Sequence, residues 1–238
     1  MLKSFLIVIA TLFFQGGTPR EQAESWARFD EETTVQKPWD LEEITGPVFA
    51  VENGAMVIKG EFLPRQVNVD QEVRACITLT SPDFVSFAAD ITVNCDDEDL
   101  VRIGMFLNRE RLLVVSGFQR QILGQIAVSR QVSGVMAVRV MEGPVTEEKP
   151  MPSWDVPLPE GRVASRPLGK TFRLEIARMP DTRDRARITI DGAVLYESEA
   201  LTWLENNNDF KLGLFAQGEP GEKVSVTVDD VCWKYLKR

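Results

Sequence analysis

Histidine is absent from all 238 residues. Its absence removes the commonest general base, the commonest metal ligand and every Ser-His or Cys-His nucleophile system. Cysteine is scarce, with only Cys76, Cys95 and Cys232. An odd number cannot form a fully paired framework, and with no CxxC spacing a structural zinc site is unsupported. Basic excess is missing too: 27 Lys and Arg stand against 36 Asp and Glu, a formal net charge of −9. Nucleic acid and anionic membrane surfaces both call for clustered Lys and Arg, so neither is an expected partner. No internal repeat, low-complexity tract or long helical period is visible, and beyond the N-terminus no long apolar run occurs.

What remains is an ordinary globular composition, 44% hydrophobic and 26% charged, in a chain long enough to bury one substantial core. The first residues read MLKSFLIVIATLFF. Lys3 makes a short basic start and Phe5 to Phe14 an apolar stretch. Small residues at Ala23-Glu24-Ser25 complete the pattern of an export leader over residues 1–25. The run is shorter than the about 20 residues a membrane span needs. An uncleaved anchor and a hydrophobic first strand are the alternatives. Export implies a secreted, cell-surface or periplasmic domain over residues 26–238, with no membrane insertion of the mature chain.

Strand signals dominate that domain. Asn53-Gly54 and Asp191-Gly192 are two-residue hairpin signals. The first joins Val48–Val51 to Ala55–Lys59; the second joins Ala186–Ile190 to Val194–Tyr196. Val85, Phe87, Ala89, Ile91 and Val93 alternate with Ser86, Ala88, Asp90, Thr92 and Asn94, the period of a half-buried strand. Val101, Ile103, Met105 and Leu107 do the same, as do Phe172, Leu174 and Ile176. Strands are also expected at Arg74–Leu79, Leu112–Ser116, Ile122–Ser129 and Val135–Met141, with a short turn or helical piece at Leu201–Leu204. Trp26 to Pro47 reads as an irregular acidic lead-in. Gly143 to Leu168 carries six prolines and reads as a loop, because proline cannot donate to a ladder.

Cys76 and Cys95 fall on runs that read as successive antiparallel strands joined at Ser81-Pro82-Asp83. Reflected about that turn, Cys76 lies opposite Ser86 to Ala88, too far from Cys95 for a disulfide, whose Cα atoms must come within about 7 Å. All three cysteines read as small buried apolar residues.

The C-terminal stretch, Asp209 to Arg238, organises the rest. Phe210–Gln217 and Val224–Tyr235 flank a turn built on Gly218, Pro220 and Gly221. In the second run the apolar phase slips by one between Val228 and Val231, which predicts a β-bulge at Asp229-Asp230. The ending GLFAQG…turn…VTVDDV resembles the closing hairpin of concanavalin A-like jelly rolls, which include laminin G-like and legume-lectin-like domains. FRLEIAR…ARITIDGAVLYES and NGAMVIKG are similar to further hairpins of that superfamily, and SFAADITVN…LVRIGMFLN resembles its central pair of strands. The expected fold is therefore all-β, a two-sheet antiparallel β-sandwich of the concanavalin A-like jelly-roll type.

The resemblance implies a concave outer face on which oligo- or polysaccharide lies. Residues of the parity opposite the core would supply it: Asp90, Arg102, Asn108, Gln121, Gln125, Arg139, Arg173 and Glu175. Trp154 and Trp203 are candidate platforms for a sugar ring. The resemblance also implies a structural calcium ion near the C-terminal aspartates, Asp229 and Asp230, with Asp30 or Glu31 of the lead-in; calcium takes hard oxygen ligands. The alternative for Asp229 is a cap on turn amides. Jelly-roll laminarinases and carrageenases carry E-x-D-x-(x)-E on one strand, and this chain has none. A hydrolase would need another carboxylate pair, about 5 Å or about 6.5–9.5 Å apart, for which Asp90 and Glu175 are the candidates. Enzymes of this fold acting on oxidised disaccharides are a looser resemblance. Carbohydrate binding is the leading expectation, with a glycan-active hydrolase and a laminin G-like protein-interaction domain as alternatives.

Overall fold

The computed structural model describes residues 21–27, 29, 35, 38–42, 46–64, 72–79, 83–95, 101–107, 122–128, 135–142, 163–205 and 210–237. Among them the chain is almost wholly β-structure. The N-terminal part contributes β1 (Gln22–Ala27), β2 (Asp40–Glu42), β3 (Val48–Glu52), β4 (Ala55–Glu61) and β5 (Glu72–Leu79). The middle contributes β6 (Phe84–Val93), β7 (Val101–Leu107), β8 (Ile122–Val128), β9 (Val135–Glu142) and β10 (Val163–Pro167). After these come β11 (Phe172–Arg178), β12 (Ala186–Ile190), β13 (Ala193–Glu197), the one-turn helix α1 (Thr202–Glu205), β14 (Phe210–Gly218) and β15 (Lys223–Leu236).

The strands form two antiparallel sheets. One runs β13-β12-β11-β6-β15-β4-β3, with β1 added alongside β15; the other runs β10-β9-β8-β7-β14-β5-β2. The two-sheet sandwich expected from the sequence is the fold observed. Its core lies between the layers, where alternate residues converge: Phe87, Ala89 and Ile91 from β6, Leu174 and Ile176 from β11, Ile103 and Met105 from β7, Leu212 and Leu214 from β14. Trp39 and Trp233 meet there edge to face, their ring centroids 6.2 Å apart, an arrangement that adds about 0.5–1.5 kcal/mol to what burial alone contributes. At one end of the sandwich the half-buried Arg178 guanidinium donates to the carbonyls of Phe84, Arg183 and Leu204, tying β6, a turn and α1 together.

Both hairpin signals form. Asn53 and Gly54 have φ of 52° and 79°, and Asp191 and Gly192 have 51° and 79°. Positive φ at both central residues is the mirror-image turn that suits strand twist. The bulge expected at the twin aspartates is also present. Asp229 pairs with Asp90 and Cys232 with Ala88, so three steps along β15 answer two along β6. Asp230 absorbs the extra residue at φ 44°, and Val228 and Val231 both stay in the core while the aspartates between them are exposed. The bulge falls where β15 changes neighbours, from β4 (through Val228) to β1 (from Val231).

Several local expectations are corrected. The closing stretch is not a hairpin: β14 and β15 lie in opposite sheets, each flanked by other strands on both sides. The intervening turn is pinned instead to Phe62, whose N–H donates to Glu222 O and whose carbonyl accepts from Gly221 N. A Cβ on Gly218 would strike the Phe62 ring. β5 and β6, read as neighbours across Ser81-Pro82-Asp83, also lie in opposite sheets, as do β6 and β7. The cysteines are nonetheless buried and joined in no disulfide. Alternation reports that one face is covered; it does not report by which sheet.

Val85 is not on the core side. A second register shift, between Lys234 and Tyr235, places the extra residue on β6, so Phe84 is buried and Val85 only half-buried. The lead-in holds two strands, β1 and β2, rather than irregular chain alone. The final residues of the proline stretch form β10, an edge strand whose proline is its last residue, a position where a missing N–H is tolerated. The boundary expected between residues 25 and 26 falls inside β1. Leu112–Ser116 and residues 143–162 lie outside the described residues.

Candidate functional site

The outward residues expected to share one face divide between two. The register of each sheet places them. On the eight-stranded sheet, Asp229 lies opposite Asp90, and Asp90 opposite Arg173. Glu175 lies opposite Ala88 and Thr189, one row away. Thus Asp90, Arg173 and Glu175 occupy the outer face of this sheet, with Asp90 and Glu175 at diagonal positions. The seven-stranded sheet carries the others. One row there runs Glu42, Arg74, Phe215, Gly104, Gln125, Arg139, Val163; the next runs Glu72, Gln217, Arg102, Ala127, Ala137, Ser165. Arg102, Gln125 and Arg139 therefore belong to the outer side of the seven-stranded sheet, across the core from Asp90. Period-2 reading assigns each residue to the outside of its own layer and cannot distinguish the two outsides.

The two faces differ in chemistry. On the eight-stranded sheet several charged groups pair with one another. Arg173 Nη1 donates to Asp90 Oδ1 at 2.7 Å. Asp191 accepts from the Arg173 backbone N–H at 3.0 Å and from Arg166 Nε at 3.1 Å. Lys234 lies 3.5 Å from Glu24, and Thr92 and Thr171 bond through their hydroxyls at 2.7 Å. Beside them Cys232 Sγ donates to Glu24 at 3.5 Å. Burial first, then the Glu24 charge, push that thiol up to about 12.

On the seven-stranded sheet an aromatic pair lies among the outward positions. Phe106 and Phe215 are 1% and 0% exposed, on the side away from the main core, and with Cys76 they form a second small cluster. Their centroids are 6.4 Å apart. Being covered, they make a floor and not a stacking platform. Gly213 lies between Cys76 and Phe106, and a Cβ there would run into the Ala75 carbonyl oxygen. Glycine is thus what lets β5 and β14 approach. Gln217, directly opposite Arg102, has a buried amide oxygen with no hydrogen-bond partner among the described residues. Sequence reading missed Gln217, Arg74 and Lys211 as members of this face, although their alternation along β14 and β5 carried the signal.

At the bulge, Asp229 Oδ1 accepts the Asp230 N–H at 2.8 Å, the amide cap. Among the described residues no group of three or more His, Cys, Asp or Glu side chains could hold a metal ion. Asp229 and Asp230 are the described members of the calcium set expected from the sequence. Asp30, Glu31, Asn108, Gln121 and Trp154 lie outside the described residues; Trp203 belongs to α1. No helix among the described residues is long and apolar enough to cross a membrane.

No protein-family model matches the chain, and no curated protein matches it by sequence. Solved structures do match. The carbohydrate recognition domain of Emp46p in its potassium-bound form aligns at a TM-score of 0.59 and 12% identity, covering 89% of this chain and 98% of that one. The catalytic domain of an endo-1,3-β-glucanase (laminarinase) from Thermotoga petrophila aligns at 0.52 and 10%, covering 91% and 100%. The κ-carrageenase of Pseudoalteromonas carrageenovora, in complex with an oligotetrasaccharide of κ-carrageenan, aligns at 0.50 and 14%, covering 90% and 96%. The chain has the concanavalin A-like jelly-roll fold that these structures share.

Proposed function

We propose that this protein is an exported carbohydrate-binding domain that holds oligo- or polysaccharide on the outer face of its seven-stranded sheet. Fold alone does not fix function; the reading rests on the register, which gathers Arg102, Gln217, Gln125 and Arg139 into two adjacent rows. Guanidinium and amide groups are suited to saccharide hydroxyls, because each offers several donors or a donor with an acceptor in fixed geometry. Among the described residues, Gln217 has no bond at its amide oxygen to give up when it turns toward a ligand.

Export is part of the proposal and is supported by Lys3 and the apolar Phe5–Phe14 stretch. Because β1 begins at Gln22, a leader compatible with this fold is cut upstream of it.

A glycan array probed with the full chain tests the reading. Binding is expected, weakened by Arg102→Ala and by Gln217→Ala and unchanged by Glu175→Gln. A silent array, together with capture of a protein partner, would replace it with the protein-interaction reading. Binding lost in Glu175→Gln but kept in Arg102→Ala would move the site to the other sheet.

A further inference from the structure

The acidic surplus of the chain is not spread evenly over its two outer faces. Across β14, β7, β8, β9 and β10 the outward positions alternate with core residues such as Leu214, Ile103 and Val138. The only charged residues at those positions are Lys211, Arg102 and Arg139, and no carboxylate occupies any of them. Among the described residues, the acids at outward positions of that sheet, Asp40, Glu42 and Glu72, lie at its margin, on β2 and at the first residue of β5. Glu42 there is the register partner of Arg74. The eight-stranded sheet, by contrast, mixes both signs at its outward positions, where Asp90, Glu175, Glu197, Asp229 and Asp230 stand among Lys59, Arg173, Arg187 and Lys234. Within a chain of net charge −9, the charged residues among the described outward strand positions of that half-face are all basic.

We infer that this half-face selects anionic saccharides, those bearing carboxylate or sulfate groups, over neutral ones; the inference rests on the carbohydrate-binding reading and narrows its ligand class. The geometry suits a chain molecule and not a single ion. Arg102 and Arg139 are two strands and one row apart, about 12 Å on a strand spacing of about 4.8 Å and a rise of about 3.4 Å per residue. Lys211 lies six residues from Gln217 along β14, about 20 Å by the same rise. A polymer with acidic groups at intervals meets cations at intervals. Guanidinium presents a planar fork that matches carboxylate or sulfate oxygens two at a time. Among the described residues Lys211, half-buried, has no ion pair to break before it meets a ligand. Between the cations lie Gln125 and Gln217, which suit hydroxyls. That mixture distinguishes a saccharide site from a purely basic patch for nucleic acid, which relies on dense Lys and Arg.

Binding of the full chain to alginate, dextran sulfate, laminarin, mannan and duplex DNA, measured by affinity electrophoresis and calorimetry, tests this. Alginate or dextran sulfate is expected to bind at least roughly tenfold more tightly than laminarin or mannan, and to weaken with added salt. Which of the two wins identifies the acidic group. Arg102→Gln is expected to cost roughly tenfold on the anionic polymer, one charge-assisted hydrogen bond's worth, with a smaller loss for Lys211→Gln. Lys59→Gln, on the other sheet, should change nothing. Should Arg102→Gln fold poorly, Lys211→Gln carries the test, its thermal midpoint serving as the control. Tighter binding of laminarin or mannan overturns this inference and leaves the carbohydrate reading standing, whereas a panel in which no saccharide binds overturns that reading itself. Duplex DNA bound as tightly as the acidic polysaccharides, or anionic binding indifferent to both substitutions, shows a non-specific polyanion surface and overturns the inference as well.

Discussion

Arg173 and Asp90 face each other across β11 and β6, and their side chains close to 2.7 Å on the outer surface of the eight-stranded sheet. One carboxylate of the only glycosidase pair legible in the sequence is thereby held in an ion pair. With Asp90 29% and Arg173 38% exposed, solvent screening leaves such a pair worth about 0.5–1 kcal/mol. Asp90→Asn is expected to lower stability by no more than that and to leave glycan binding unchanged. Reducing-sugar release from a polysaccharide panel that vanishes in Asp90→Asn would instead establish the hydrolase reading.

The twin aspartates lead to a second expectation. Since Asp229 already caps the Asp230 amide, calcium removal by a chelator should leave the melting temperature unchanged. Asp230 sits at φ 44°, where Asp is tolerated and a β-branched residue is not. Asp230→Gly should be neutral or stabilise by up to about 1 kcal/mol, and Asp230→Val should cost about 1–2 kcal/mol. A chelator-induced drop in melting temperature would show that oxygens beyond those at the bulge complete a metal site.

Cys232 sets a pH dependence. Its folded-state pKa, about 12, lies above its ordinary value of 9.0 because burial and Glu24 disfavour the thiolate. The folded state therefore holds this proton where the unfolded state has lost it. The contribution to stability is fully present below pH 9 and declines as pH rises from there toward 12. Cys232→Ala should flatten the fall of denaturant midpoint between pH 8 and pH 10. Thiol reagents should react slowly with the native chain at neutral pH and promptly after denaturation. An unchanged pH slope in Cys232→Ala would contradict this account.

β1 adds to β15 over Gln22–Ala27, and Glu21 pairs with Lys237 at 2.8 Å. A chain beginning at Glu21 should melt with the full-length protein. One beginning at Trp26 loses four ladder residues and the buried Ala23, and should melt about 5 °C or more lower. Equal melting of the two would show that β1 is dispensable.

Much of this fold was legible because strands announce themselves locally. Asn53-Gly54 and Asp191-Gly192 specify their turns with two residues each, and the phase slip after Val228 can only be absorbed by a bulge. What was not legible is long-range: which sheet a strand joins. Phe210–Gln217 and Val224–Tyr235 carry the same alternation whether they pair with each other or arch between layers. Their outcome depends on β5, β7, β4 and β6 competing for their edges. That one ambiguity merged the two outer faces, setting Asp90 beside Arg102 although the core separates them. It also hid Gln217, which gains meaning only once Arg102 is known to lie opposite.

The central claim, that the seven-stranded sheet holds the ligand, is tested most directly by a pair of matched charge removals, one per face. Arg102→Gln and Arg173→Gln should be titrated against the same polysaccharide, at one salt concentration, with thermal midpoints recorded for both. A loss of affinity of roughly tenfold in Arg102→Gln, with Arg173→Gln binding as the parent chain does, is the predicted result. The reverse pattern, affinity lost in Arg173→Gln and kept in Arg102→Gln, would contradict it.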